Sequence, residues 1–163
     1  MEQLILVRHG DFSTKDDSLT YLGLVQINSL SGNLKRYFTN IPGSKVAVFS
    51  SPAGRCCETA EIIGATFGVK FEKRAVLCPP GISNPDLERT MELVCSQQDV
   101  ADVLILVTHA AHVQFFSVHF MRERLGVSEM DVTTVALAAT QVESGEARIV
   151  NCKRKTLVRV LPD

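Results

Sequence analysis

The chain predicts an α/β fold, a single-domain three-layer αβα sandwich over residues 1–163, on a mostly parallel sheet with an antiparallel C-terminal ribbon. Three observations carry that expectation. Two short runs, Leu4–Val7 and Val103–Val107, are apolar without interruption, the pattern of strands buried on both faces. Between them, helically spaced apolar residues alternate with shorter apolar runs. From Val132 the character changes. Val132–Val142 is rich in valine, threonine and alanine, Glu143-Ser144-Gly145-Glu146 is a turn, and Ala147–Cys152 and Leu157–Leu161 alternate, so this part reads as a ribbon.

In order, the first strand ends in Arg8-His9-Gly10, where the glycine permits a turn or a close approach to a ligand. A polar loop follows from Asp11 to Asp17. Ser18 or Thr20 can cap the next helix, in which Leu22, Val25, Leu30, Leu34 and Phe38 recur at helical spacing; Gly32 is a weak point or an early end. Asn40-Ile41-Pro42-Gly43 is a turn cluster, and Val46–Phe49 a second strand. The pattern from Ala53 to Phe67 is helical, with Ser51 as cap, Pro52 in the first turn and Gly68 as C-cap. Val69–Glu72 reads as a short strand, and Leu77–Pro85 breaks regular structure. Asp86–Gln97 is a helix with Leu87, Met91, Val94 and Cys95 inward. Ala110–Leu125 is another, stopped by Gly126.

At 163 residues the chain can bury a substantial core. A net charge of -1 argues against a nucleic-acid-binding surface. The cysteines (56, 57, 78, 95 and 152) form no Cys-x-x-Cys pair, which argues against a zinc site or a disulfide framework and fits a reducing compartment. Neither a signal-peptide pattern nor a run long enough to span a membrane is present, so the expected location is the cytoplasm, with no membrane partner.

Three strands end in polar groups: Arg8-His9 after the first, Ser50-Ser51 leading to Arg55 after the second, and Thr108-His109 after the fourth. In a parallel sheet these ends share one edge, where ligands bind. Two histidines and two arginines would meet there. Arginine's planar fork of donors matches phosphate oxygens, and a helix start adds backbone donors.

Four blocks carry a family resemblance. Leu6-Val7-Arg8-His9-Gly10, Leu19-Thr20-Tyr21-Leu22-Gly23-Leu24-Val25-Gln26, Ser51–Ala60 with Arg55 and Thr59, and Val107-Thr108-His109-Ala110 together resemble the signature of the histidine phosphatase (phosphoglycerate mutase-like) superfamily. The resemblance implies that His9 is a nucleophile taking a phosphoryl group onto its ring. Arg8, Arg55 and His109 would then hold the phosphoryl oxygens. It implies no metal and no cofactor; the partner is a phosphorylated substrate, a small molecule or a phosphohistidine protein. The chain departs from the family pattern at Leu77-Cys78-Pro79-Pro80-Gly81, where many members carry a glutamate general acid. A phosphoramidate leaving group needs such an acid less than an alkoxide does. Short length and the missing acid resemble the SixA-like phosphohistidine phosphatase branch.

Asp11, Asp86 and Glu88 are candidate substitutes for the acid, each weighed against a solvated surface carboxylate. Two alternatives stand beside the phosphohistidine reading: a phosphatase or mutase for small phosphate esters, and a phospholigand-binding module without catalysis. Ser13 and Thr14 can touch phosphate or merely form the turn. Ser50 and Ser51 read as caps, Cys56 and Cys57 as helix packing, His112 and His119 as structural or surface residues, and Lys153-Arg154-Lys155 as a solvated ribbon end.

Overall fold

The computed structural model describes residues 1–38, 44–78, 85–129 and 132–163. Its elements are β1 (Gln3–Arg8), α1 (Tyr21–Phe38), β2 (Val46–Ser50), α2 (Gly54–Phe67), β3 (Phe71–Lys73), a 3-10 turn (Ala75–Leu77), α3 (Leu87–Ser96), β4 (Val103–Thr108), α4 (Ala110–Glu123), α5 (Val132–Ala139), β5 (Ala147–Asn151) and β6 (Thr156–Val160). They form a single α/β unit around one sheet of order β3-β2-β4-β1-β5-β6. β1, β2, β3 and β4 run parallel, whereas β5 and β6 are antiparallel additions.

Residue parity along the apolar strands decides which layer each side chain enters. Ile5, Val7, Ile105 and Val107 pack with Ile27, Leu30 and Leu34 of α1 and Cys56, Ala60 and Ile63 of α2. Leu4, Leu6, Leu104 and Leu106 pack on the other side with Val94 of α3 and Val113, Phe116 and Phe120 of α4. Burying each large aliphatic side chain contributes about 1.5–3 kcal/mol. The uninterrupted apolar runs are thus explained by helices on both faces.

Local chemistry sets the helix ends and corrects several expectations. Thr20, not Ser18, caps α1, its hydroxyl accepting the Gly23 N–H at 3.1 Å. The inward stripe is Gly23, Ile27, Leu30 and Leu34, while Leu22 and Val25 face solvent at 57% and 46% exposure. Gly23 lies so near the loop that a Cβ there would sit 2.0 Å from the Asp11 carbonyl oxygen. That contact turns the helix and rotates its neighbours outward. Gly32 does not end the helix.

Pro52 precedes α2 instead of occupying its first turn, and Ser51 is not its cap; Ala53 holds the cap position without a side-chain bond. Gly68 closes this helix at φ 70, and the Val69 N–H bonds back to Gly64 O at 2.9 Å. Val69 is therefore spent on the cap, and β3 begins at Phe71. Asp86 caps α3, accepting the Arg89 N–H at 3.1 Å. The largest correction is α5: Val132–Ala139 is a helix, so the ribbon is confined to β5 and β6. Ala136, Ala138 and Ala139 favour helix, and Leu137 packs against the α4-side core, overriding the strand preference of valine and threonine. The turn at residues 40–43 and the break from 79 to 84 lie outside the described residues. Among the described residues, no helix is long and apolar enough to cross a membrane.

Candidate active site

Parallel register brings the polar strand ends together. Arg8 pairs across the sheet with Thr108, and Ser50 with Val107. The next residue after each strand leaves the sheet: His9 N–H donates to Thr108 O at 3.1 Å, and Ser51 N–H to Val107 O at 2.9 Å. His109 stands in extended backbone immediately before α4. Arg55 is in the first turn of α2, the helix that follows β2.

Arg55 lies between the two imidazoles. Its Nε donates to His9 Nε2 at 3.1 Å and its NH2 to His109 Nδ1 at 3.2 Å. Arginine offers only donors, so both ring nitrogens facing it carry lone pairs. The other nitrogens are protonated accordingly. His9 Nδ1–H donates to Gly10 O at 2.8 Å, and His109 Nε2–H donates to Ser51 Oγ at 3.0 Å. The two rings meet edge-on with centroids 5.4 Å apart. Phe12 closes one side, its ring 5.1 Å from that of His9 and 4.4 Å from the Arg55 guanidinium carbon.

Burial is the main cause of the imidazoles' acidity. It pulls His9 down to about 4 and His109 to about 3, and the neighbouring cations push the same way. Both rings are therefore neutral at neutral pH. Arg8 donates through NH1 to Val142 O at 2.6 Å, and its buried Nε has no partner among the described residues. The segment supplying that carbonyl also holds the backbone: Arg8 N–H donates to Glu146 O and Gly145 N–H to His9 O.

His9, Arg55 and His109 thus form one hydrogen-bonded cluster, with Arg8 next to His9 along the strand. The candidate acids are engaged elsewhere. Asp11 Oδ2 accepts from Thr20 Oγ1 at 2.6 Å, Asp86 caps α3, and Glu88 is an exposed partner of His119. Ser13 makes turn bonds to Ser18 and Lys15. Gly10's close neighbour is the chain itself, since a Cβ there would sit 2.8 Å from Gly23 O. Cys56 is buried, and burial pushes its thiol up to about 12, which makes it inert packing. Lys153, Arg154 and Lys155 are solvated, as the ribbon-end reading expects. A cavity of about 570 Å³ beside α4, lined by Leu87, Phe115 and His119 among others, contains none of the cluster.

Sequence reasoning missed three participants. Ser51 read as a cap, yet its hydroxyl accepts from His109 Nε2–H in the tautomer that Arg55 sets. Phe12 and Asp17 carry no motif. Asp17 pairs with Arg55 NH1, and its Oδ2 accepts the Gly54 N–H at 2.7 Å. The doubled aspartate ahead of the first helix was the visible signal, though nothing local says which carboxylate turns inward.

The family model described as histidine phosphatase superfamily (branch 1) matches residues 4–78. Solved structures share the fold over nearly the whole chain. The protein histidine phosphatase SixA complexed with tungstate aligns at TM-score 0.70 and 17% identity, covering 98% of this chain and 97% of its own. A phosphohistidine phosphatase SixA assignment from Agrobacterium tumefaciens aligns at 0.65 and 16%, covering 99% and 96%. A mycobacterial glucosyl-3-phosphoglycerate phosphatase aligns at 0.66 and 13%, covering 99% and 97%. No curated protein sequence matches the chain. The N-terminal match and the shared fold make the chain similar to histidine phosphatases. At these identities the structural likeness speaks for the fold and leaves the substrate open.

Proposed function

We propose that the protein hydrolyses phosphoryl groups through a phosphohistidine intermediate on His9, and that its substrate is a phosphoramidate such as a phosphohistidine side chain of a protein. What supports the catalytic reading is the His9 tautomer: Nδ1 is held by Gly10 O, so the Nε2 lone pair points to Arg55 and the His109 side. In the first step Nε2 attacks phosphorus, an N–P bond forms and the bond to the leaving group breaks. The Arg55 donors leave the ring nitrogens for the phosphoryl oxygens, joined by Arg8. A bound anion there favours protonation of His109, which then donates to it. Water next attacks the phosphohistidine, inorganic phosphate leaves, and His9 returns to its starting state. The covalent step divides one difficult transfer into two.

What supports the substrate class is the set of carboxylate partners. Asp11 accepts the Thr20 hydroxyl, Asp86 caps α3, Glu88 pairs with His119 at the surface, and Asp17 is held ionised by its donors. An ester alkoxide needs a proton as it leaves; an imidazole leaving group needs it much less. The test compares turnover of phosphoramidate with that of an alkyl phosphate and traps the phosphoenzyme. An acid-labile phosphoprotein, with phosphoramidate turned over much faster, is the expected result. A His9→Ala protein hydrolysing phosphoramidate at the parent rate overturns the mechanism; equal or faster alkyl phosphate turnover overturns the substrate class.

A further inference from the structure

We infer that Asp17 is a positioning residue of the site: its carboxylate holds the NH1 end of Arg55 so that the Nε/NH2 edge stays presented to an incoming oxyanion. The inference rests on the site reading above. Arg55 has a long, flexible stem, and such a side chain loses considerable rotamer freedom when it is fixed on a ligand. Here that freedom is removed beforehand. Of its three nitrogens, NH1 is bound by Asp17, while Nε and NH2 face His9 Nε2 and His109 Nδ1. The two inward nitrogens form one edge of the guanidinium, the geometry that meets two oxygens of a tetrahedral anion.

Asp17 is itself fixed from several directions. Its Oδ2 accepts the Gly54 N–H, supplying the cap that Ala53 lacks. Its backbone is in the left-handed region at φ 56, and its N–H donates to Ser13 O at 3.0 Å. The following Leu19 N–H donates to Glu58 of α2 at 2.8 Å. Gly54 has no side chain to keep the loop away, since a Cβ there would lie 2.5 Å from Asp17 O. Among the described residues, Asp17 is the carboxylate ion-paired with Arg55; against the pull of burial, the Gly54 N–H and then the Arg55 guanidinium hold its carboxyl below the usual range. The loop after the first strand therefore reaches α2 and sets the direction of its arginine.

The test measures binding of orthovanadate, and kcat and KM for phosphoramidate, in the parent, Asp17→Asn, Arg55→Ala and the double variant. Asp17→Asn keeps an acceptor for Gly54 and removes the charge. It should bind orthovanadate about 10-fold or more weakly, lower kcat/KM similarly, and add little further loss in the Arg55→Ala background. Asp17→Asn binding as tightly as the parent, or more tightly because the carboxylate is merely a rival anion, overturns the inference alone. A full repeat of the loss without Arg55 does the same, since it marks a general folding effect. A parent protein that does not bind orthovanadate overturns the site reading, and the inference falls with it.

Discussion

Arg55 Nε faces His9 Nε2 across 3.1 Å, so the resting site pairs a guanidinium with the lone pair that would attack phosphorus. A single point charge cannot reproduce that arrangement, because the same side chain also reaches His109 and Asp17. Arg55→Lys should therefore lower kcat/KM by about 10²-fold while the protein stays folded. Steady-state kinetics with phosphoramidate checks this, and parent-level activity in the lysine variant would contradict it.

The buried imidazoles make stability depend on pH. His9, His109 and His112 are lowered to about 4, about 3 and about 4, each mainly by burial, from 6.5 when exposed. As pH falls below that ordinary value, the unfolded chain takes up protons that the folded chain refuses. Stability should therefore decline from pH 6.5 down to about 4 for His9 and His112 and on to about 3 for His109, while these groups have no effect well above that window. Asp17, whose folded pKa is depressed, withdraws its contribution as pH falls below its ordinary value of 3.8. Urea midpoints at about pH 7 and about pH 5 test the sign: the second should be lower.

Glu146 anchors Arg8 from a distance. Its fully buried carboxylate pairs with Arg148 at 3.1 Å and Arg159 at 2.8 Å and accepts the Glu143 N–H at 2.9 Å. Arg148 in turn donates to Thr140 O, so both ends of the segment carrying the Val142 carbonyl are fixed. Glu146→Ala leaves a buried guanidinium without its counter-charge and should cost about 3–5 kcal/mol, read from denaturant unfolding. A loss under about 1 kcal/mol would place the network among exposed pairs of little consequence.

How much of this was legible depended on the range of the signal. Leu4–Val7 and Val103–Val107 announced central strands because burial on both faces leaves no polar position. Arg8, His9, Arg55 and His109 were readable because each sits within a few residues of a strand end, and parallel register then aligns those ends. Asp17 was not readable, since its partner lies on another element and its left-handed backbone is set by the Ser13 turn. The phase of α1 was misread for a similar reason: a contact between Gly23 and Asp11 outweighs the apolar character of Leu22 and Val25. Val132–Ala139 was misassigned because strand propensity is context-dependent and an alanine-rich segment packs equally well as a helix.

β1 lies between β4 and β5, so the strand that leads into His9 acquires its second neighbour only from residues 147–151. Contacts of such long sequence separation form late and slowly. On the ribosome, the emerging chain exposes His9 early but lacks the Val142 and Glu146 carbonyls and the Gly145 N–H that seat Arg8 and His9 until residues 142–146 have left the exit tunnel. Chains that end before residue 142 should accordingly leave Arg8 and His9 unseated, a consequence of strand order alone.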